Sequence, residues 1–299
     1  MAFKNLFIES NVHLSVKNDQ LVIYKDEEYT VPLEDINSIC VDSLKTNITS
    51  YTLNKIVEHD IILYICDEKH LPSGVLLATN NYSRKLRNLK RQLDMPKPIL
   101  KRIWQDIIKQ KIENQALALK YLGMDEGYKE LIKMKEFVLS GDSTNIEARA
   151  AAFYFKELFG EEFTRSSDSY FNSALNYGYA IMRGMISRSL VMYGFEPALG
   201  IFHHNQLNAF NLSDDIIECF RPLVDLYILT SLEIKEELDS ESKRKIYNLI
   251  NSLVLIDGKS YNTQTPIENV VKSLATSFEK KNNEIKLPVL NGIKEYRYA

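Results

Sequence analysis

The chain of 299 residues lacks the features that mark several special classes of protein. Its three cysteines, Cys40, Cys66 and Cys219, are too few and too unevenly spaced for a disulfide framework or a multi-cysteine zinc site. The longest strongly apolar run, Ile61 to Cys66, is far shorter than the ~20 residues that span a bilayer. The first residues also lack the apolar stretch of a signal peptide. We therefore expect a reduced, cytoplasmic protein with no membrane partner.

Nucleotide-binding fingerprints are missing as well. The sequence has neither a Walker A loop nor a glycine-rich dinucleotide fingerprint, so P-loop hydrolysis and Rossmann redox chemistry are unsupported. The composition that remains, 45% hydrophobic and 26% charged residues, is that of an ordinary globular protein and excludes disorder. At ~100–200 residues per domain, this length predicts two domains.

The net charge of −3 hides a large asymmetry along the chain. Positions 1–76 carry six lysines and no arginine against twelve acidic residues, whereas Arg84 to Lys111 carries ten basic residues against two acidic ones. One basic stretch of this acidic protein is therefore a candidate surface for a polyanion. An ordinary solvated helix, with Leu86 and Leu89 turned inward, is the alternative. The candidate DNA-binding residues are Arg84, Lys85, Arg87, Lys90 and Arg91.

Local patterns predict an α+β protein. Residues 1–76 contain short β-branched and aromatic runs bounded by turn formers, with one short helix from Ser50 to Glu58, and predict a small β-sandwich-like domain. Residues 77–83 are a linker. Residues 84–299 predict a larger, all-α domain that ends in an aperiodic tail. Its expected helices cover 100–121, 128–139, 144–159, 171–192, a segment from about Leu212, 223–234 and 240–255.

The segment from Gly200 to Pro222 is the richest in reactive side chains. If a helix begins near Asn211 or Ser213, Asp215 and Glu218 are three positions apart and share a face, and His203 precedes them in a polar loop. An imidazole with two or three carboxylates is a ligand set that accepts Mn²⁺ or Mg²⁺. The alternative is that Asp214 and Asp215 are first-turn acids, Glu218 is solvated, and the histidines are loop polar residues.

Two further segments each allow two interpretations. Thr144 and Glu147 match a capping box, and on the residues alone a cap partner is the favoured role of Glu147. Asn172 and Asn176 are four apart, with tyrosines at 177 and 179 close behind. That amide-lined helix face suits either the positioning of phosphates or metal-bound water, or hydrogen bonding between helices.

Two competing constellations are weaker. His59-Asp60 is an adjacent pair like that of helical phosphohydrolases, but the other spaced His and Asp ligands are missing. Cys219 lies near His203 in sequence, yet its apolar helical context is typical of a small core residue rather than a thiol nucleophile.

Taken together and in this order, the segments resemble the CRISPR-associated integrases of spacer acquisition, the Cas1 family, and are most like the forms of type II systems. The resemblance extends over essentially the whole chain. It is carried by Asn145-Ile-Glu-Ala-Arg-Ala-Ala, by Leu175-Asn-Tyr-Gly-Tyr and by the block from His203 to Pro222. It implies a divalent-ion site made by Glu147, His203 and Glu218, with Asp215 as the neighbouring catalytic acid. It also implies Mg²⁺ or Mn²⁺ as the cofactor, and it favours His203 over His204 as the ligand.

The same resemblance implies a function. A 3′-hydroxyl of a captured DNA fragment would attack a phosphodiester at the edge of a CRISPR repeat, without a covalent enzyme intermediate. The implied partners are double-stranded DNA, a second copy of the chain held through residues 1–76, a small ferredoxin-like protein (Cas2), and further type II adaptation proteins. Two alternatives stay open: a metal-dependent nuclease for branched DNA, and a DNA-binding scaffold without catalysis.

Overall fold

The computed structural model describes residues 4–78 and 85–294. These residues form two compact units, one on each side of the gap between them. Most of the linker predicted at 77–83, together with Arg84 and the last five positions of the tail, lies outside the described residues.

The first unit is built from short strands, as the β-branched and aromatic runs predict. Its two sheets have the strand orders β1-β5-β7-β8 and β4-β3-β2-β6. In the first sheet, β1, β5 and β7 run parallel and β8 is antiparallel to β7. The elements are β1 (Lys4–Ile8), β2 (His13–Lys17), β3 (Gln20–Tyr24), β4 (Glu28–Pro32), β5 (Ile36–Val41), β6 (Asn47–Ile48), α1 (Ser50–Glu58), β7 (Ile62–Cys66) and β8 (Pro72–Leu76).

Both sheets contribute to one hydrophobic core. Leu14 and Leu21 come from the second sheet, Ile39 and Leu63 from the first, and Ile56 from α1; all five are fully buried in a single cluster. Burial of these side chains from both sheets and the helix stabilises the unit on its own.

The second unit is mainly helical, and most of the predicted helices are present within a few residues of their expected ends. Within residues 4–78 and 85–294, no helix is both long and apolar enough to cross a bilayer. The helices are α2 (Lys85–Leu93), α3 (Lys97–Tyr121), α4 (Asp125–Glu136), α5 (Ile146–Phe159), α6 (Tyr170–Met192), α7 (Asn211–Ile217), α8 (Arg221–Ser231), α9 (Ser240–Tyr247) and α10 (Gln264–Lys280).

The prediction that this unit is all-α is wrong. The helix predicted at 240–255 ends at Tyr247, and a hairpin of β9 (Leu253–Ile256) and β10 (Lys259–Asn262) follows. Asp257 and Gly258 connect the two strands with positive φ angles of 51° and 73°, the conformation that favours a tight two-residue hairpin turn.

The C-terminal tail packs into the second unit. Asn114 of α3 donates through Nδ2 to the carbonyl oxygen of Pro288 at 3.0 Å, and its Oδ1 accepts from the backbone N–H of Leu290 at 3.0 Å. Val289 exchanges two backbone hydrogen bonds with Leu255 of β9. Asn114 also donates to the carbonyl oxygen of Cys219 at 2.7 Å, so one buried amide joins α3, the tail and the end of α7.

Candidate active site

Asp215, in the middle of α7, fixes the loop that precedes the helix. Its fully buried carboxylate accepts the backbone N–H groups of Ile201 at 2.5 Å, Phe202 at 3.1 Å and His203 at 3.1 Å. It also binds the Nδ1 atom of His203 at 2.7 Å. Four donors around one carboxylate hold the loop backbone and the imidazole together.

This hydrogen bond determines which nitrogen His203 presents. A carboxylate only accepts, so Nδ1 carries the proton and Nε2 is left with a free lone pair in the neutral ring. The hydrogen bond with Asp215 raises the pKa of His203, although partial burial opposes the rise. The side chain keeps 41% of its exposure. A histidine oriented by a carboxylate in this way is the usual arrangement of a metal-bound imidazole.

The capping box predicted at the start of α5 is wrong. Asp142 caps the helix instead, because its carboxylate accepts the backbone N–H groups of Ile146 at 2.9 Å and Glu147 at 3.0 Å. Asn145, the residue before the helix, has a left-handed backbone with φ of 53° and provides no side-chain cap. The carboxylate of Glu147 is therefore available for another partner.

That partner is Lys111 of α3. Its ammonium binds Glu147 Oε1 in a short hydrogen bond and lies 2.5 Å from Glu218 Oε2. The other oxygen of Glu218 accepts from Nε of Arg221 at 2.9 Å. The Lys111 side chain is only 7% exposed, and the Glu218 side chain only 9%. The two glutamates, from α5 and from the end of α7, thus converge on one buried cation.

Burial and charge act in opposite directions on these groups. Burial opposes ionisation of the Glu218 carboxyl, but attraction to Arg221 and Lys111 prevails and lowers its pKa to about 2. Burial also opposes ionisation of Lys111, whereas Glu218 and Glu147 outweigh it and raise the pKa of the ammonium. Glu218, Lys111 and Arg221 are therefore charged near neutral pH.

The donor chemistry of this region suits a hard cation. Glu218 Oε2 is buried and, despite its ion pair with Lys111, makes no hydrogen bond of normal geometry. Carboxylate oxygens with one imidazole nitrogen are ligands that Mg²⁺ and Mn²⁺ accept. Among the residues that the structure describes, no three His, Cys, Asp or Glu side chains are already arranged to hold an ion. Between Glu147 and Glu218 lies the ammonium of Lys111 instead.

A cavity of about 700 Å³ lies beside the loop of His203. Trp104 of α3 stacks flat on Phe202, with ring centroids 4.3 Å apart, and its ring centroid lies 5.7 Å from that of His203 in an edge-on arrangement. His204 lines this cavity, whereas His203 is bound to Asp215. Further lining residues include Lys97, Lys101, Asn205 and Gln206.

The amide-lined face of α6 holds an arginine. Asn172 and Asn176 accept hydrogen bonds from the two terminal nitrogens of Arg165, and the hydrogen bond to Asn176 is 2.8 Å long. The Arg165 guanidinium lies 5.5 Å from the ring centre of Tyr179, and the Arg221 guanidinium lies 4.5 Å from it. Two cationic groups therefore flank one aromatic ring, and one of them, Arg221, also binds Glu218.

The predicted basic surface is reproduced only in part. Lys85, Arg87 and Lys90 are exposed on α2, whereas Arg91 forms a 2.6 Å ion pair with Glu279 of α10, and Arg84 lies outside the described residues. The expectation that Leu86 faces inward is wrong, since it is 65% exposed.

At the other end of the basic stretch, the prediction of a surface cation is wrong for Lys111. The charge count places it with the surface cations, yet it is buried in the candidate site. Sequence reasoning also missed Trp104 and Arg165. No local spacing in the sequence indicates them, because Phe202 lies in a loop far along the chain from Trp104, and Arg165 lies in the loop before the helix whose amides hold it.

The weaker alternatives find no support in the structure. Cys219 is buried, its burial raises the pKa of the thiol, and Sγ donates to the carbonyl oxygen of Ile216 at 3.2 Å, as expected for a core residue. His59 caps the end of α1 in the first unit, and Asp60 follows in a turn with a φ of 55°.

Comparison with known proteins matches the chain to one family. The model for "CRISPR associated protein Cas1" matches residues 6–250. A CRISPR-associated endonuclease Cas1 from Neisseria meningitidis serogroup C (strain 8013) is 41% identical over 303 residues, which covers 100% of both chains. A casposase bound to an integration product has a TM-score of 0.77 at 19% identity, covering 95% of this chain and 92% of that one. A chain of a Cas6-RT-Cas1–Cas2 complex has a TM-score of 0.70 at 19% identity, covering 94% of this chain and 35% of that one. At these identities the solved structures establish the fold alone.

Proposed function

The chain belongs to the Cas1 family of CRISPR-associated proteins, and we propose that it is a divalent-metal-dependent DNA integrase. In this proposal it inserts captured DNA fragments into a CRISPR repeat array by 3′-hydroxyl transesterification. The observation that carries the proposal is the convergence of Glu147 and Glu218 on one buried cation position, in a unit where the loop of His203 is fixed by Asp215.

Glu147, Glu218 and Nε2 of His203 are the groups that would hold the ion. When bound, Mg²⁺ or Mn²⁺ would polarise the scissile phosphate and stabilise the extra charge of the transition state. The chain's own residues do the positioning. Asp215 keeps the lone pair of Nε2 available by holding the proton on Nδ1, and Arg221 holds the Glu218 carboxylate through Oε1. We therefore assign Asp215 a positioning role rather than that of a ligand.

Double-stranded DNA is the proposed substrate, as fragment and as repeat target. The exposed cations of α2, Lys85, Arg87 and Lys90, and the lysines Lys97 and Lys101 at the cavity would bind phosphates. Such binding depends on backbone charge, so it weakens steeply with salt. The solved structure of a casposase bound to its integration product shares this fold at 19% identity, and likeness of fold by itself does not decide between a DNA-joining and a purely DNA-holding role.

The proposed assembly is a homodimer through residues 1–76 that works with a small Cas2-like partner and, in a type II setting, with further adaptation proteins. The shared fold with a chain of a Cas6-RT-Cas1–Cas2 complex supports the Cas2-like partner. Twelve acidic residues in this first unit would repel DNA, which suits a surface that faces protein.

A strand-joining assay tests the proposal. The protein, with and without a Cas2-like partner, is incubated with a 3′-hydroxyl fragment and a repeat-containing target in Mn²⁺, in Mg²⁺ or in EDTA. Joined product that requires the ion, and that is lost in Glu147→Gln and Glu218→Gln, supports the integrase. Lys133→Met, a surface change on α4, serves as the matched control and should join normally.

The same assay separates the two alternatives. The name of the Neisseria meningitidis relative, an endonuclease, favours a nuclease as the second candidate, which we propose would be metal-dependent and act on branched DNA. Ion-dependent nicking without joined product would establish the nuclease. DNA binding without nicking or joining, under every partner and ion condition, would leave a DNA-binding scaffold and overturn the proposal.

A further inference from the structure

Lys111 is the cation that both candidate ligand carboxylates already share. Its ammonium binds Glu147 Oε1 and lies 2.5 Å from Glu218 Oε2, and its side chain is 7% exposed. The carboxylates come from α5 and the end of α7, while the lysine comes from α3. A single ammonium therefore links three elements at the point where the two acidic groups face each other.

The charges of this cluster balance without a metal. Two carboxylates, the ammonium and the Arg221 guanidinium on Glu218 carry two negative and two positive charges. Without the ammonium, the buried Glu218 carboxylate and the partly exposed Glu147 carboxylate would repel each other, and removing one partner of a buried ion pair is strongly destabilising. Arg221 bonds to Glu218 through the oxygen that Lys111 does not contact, so the ammonium of Lys111 is the cation that lies between the two acids.

We propose that Lys111 is a positioning residue that occupies the cation position of the site and is displaced by the divalent ion. The inference rests on the proposed function, because it needs Glu147 and Glu218 to be the ligands. Lys111 keeps both carboxylates in place while no ion is bound. The incoming ion takes over the same two oxygens and releases the ammonium.

Competition of this kind predicts an order of metal affinities that a purely structural lysine does not. Lys111→Met removes the competing ammonium but keeps the length of the side chain, so Mn²⁺ should bind more tightly, by about tenfold or more. Lys111→Arg keeps the charge and offers a forked donor that pairs with carboxylates more firmly, so Mn²⁺ should bind more weakly than in the wild type.

The Tm of Lys111→Met should differ from that of the wild type without the metal ion and approach it when the ion is bound. In EDTA, Lys111→Met leaves Glu147 without its ion pair and Glu218 with Arg221 alone, so its Tm should fall by roughly 5–15 °C. Saturating Mn²⁺ should recover most of this loss of Tm, because the ion replaces the missing positive charge. The Mn²⁺-induced rise in Tm should therefore be larger in the variant than in the wild type.

The experiment is a titration of the full-length chain with Mn²⁺ alone, without DNA, followed by the electron paramagnetic resonance signal of free Mn²⁺. Thermal unfolding is measured in parallel in EDTA and in Mn²⁺. Lys109→Met is the matched control, since Lys109 lies on the same helix and makes no ion pair among the described residues. Glu147→Gln and Glu218→Gln are titrated beside it to test the ligands themselves.

The order Lys111→Met tighter than wild type, wild type tighter than Lys111→Arg, with Lys109→Met unchanged, supports the inference. Equal or weaker binding in Lys111→Met overturns it. If Lys111→Met does not fold, Lys111→Arg decides: binding at least threefold weaker supports the inference, and any smaller decrease, equal binding or tighter binding overturns it. Mn²⁺ binding that survives both Glu→Gln changes refutes the proposed metal site itself, which is a different failure from an unchanged affinity in the lysine variants.

Discussion

Asp215 holds His203 by two routes, through the ring Nδ1 at 2.7 Å and through the backbone N–H at 3.1 Å. The same carboxylate accepts the two preceding backbone N–H groups. The position and the tautomer of the imidazole therefore depend on one buried acid, which makes that acid the first point at which to perturb the site.

Asp215→Asn should disturb both the orientation and the pKa of His203. An amide cannot accept four donors as a carboxylate does, so His203 loses its orientation and its pKa falls back toward the ordinary value. We expect metal affinity and strand joining to drop by about 10–100-fold. NMR titration of the His203 ring gives the pKa, and Asp257→Asn, a change at an exposed acid in the β9–β10 turn, is the control. A His203 pKa that does not move would contradict this role of Asp215.

Gly200 should tolerate no side chain. A Cβ placed there would collide with the carbonyl oxygen of His203 and lie 2.8 Å from Asp215 Oδ2. Gly200→Ala therefore has to push the loop off the carboxylate, at a cost of about 1–3 kcal/mol in the free energy of unfolding. Joining activity should fall with it.

Gly74→Ala is the control for that change, because its added Cβ has Ile65 as its nearest neighbour, at an ordinary 3.8 Å. Denaturant unfolding and the joining assay measure both variants. A Gly200→Ala protein with wild-type stability and activity would show that the close approach is not needed.

Glu218 should make stability depend on acid pH. Its pKa is about 2 in the folded protein and near 4.5 when unfolded, so its contribution is complete above pH 4.5 and disappears as pH falls toward 2. In Glu218→Gln, Lys111 and Arg221 lose their buried partner, which should cost about 3–5 kcal/mol at pH 7. The difference in unfolding free energy between variant and wild type should shrink between pH 4.5 and 2. A difference that is constant over this range would refute the coupling.

The exposed cations of α2 should set the salt dependence of DNA binding. Arg87 and Lys90 have no ion pair among the described residues, whereas Arg91 is bound to Glu279. The double change Arg87→Ala, Lys90→Ala should make the negative slope of log affinity against log salt shallower by about 0.9 for each phosphate that the variant no longer neutralises. A double alanine change at Lys129 and Lys133 of α4 removes the same charge at a site paired with Glu126 and Glu130. Equal slopes in the two double variants would exclude α2 from the DNA surface.

Sequence patterns predicted the elements that local periodicity controls. The helices around α3, α6 and α7 begin close to their expected positions because apolar spacing and turn residues determine them. The hairpin after α9 was missed although its signal is local: Asp257-Gly258 lies between two short runs that pair as strands. The apolar residues up to Leu255 also fit a helical period. In the structure, however, Leu255 lies in β9, which pairs with β10 and, through Leu255, with Val289 of the tail.

The site itself depends on interactions that no local pattern contains. Lys111 and Glu147 are 36 positions apart, and their pairing follows from how α3 packs against α5. Thr144 and Glu147 match a capping box, but the Asp142 carboxylate takes the hydrogen bonds of the first N–H groups of α5. The assignment of Asp215 as a catalytic acid likewise came from the family resemblance, and its burial by four donors is visible only in the structure.

The most direct test of the account is an anomalous difference map from crystals of the full-length chain grown with Mn²⁺. We expect one strong peak within bonding distance of a Glu147 oxygen, a Glu218 oxygen and Nε2 of His203, with the Lys111 ammonium moved out from between the two carboxylates. A peak bound elsewhere, or a Lys111 ammonium still bridging Glu147 and Glu218 at saturating Mn²⁺, would contradict it.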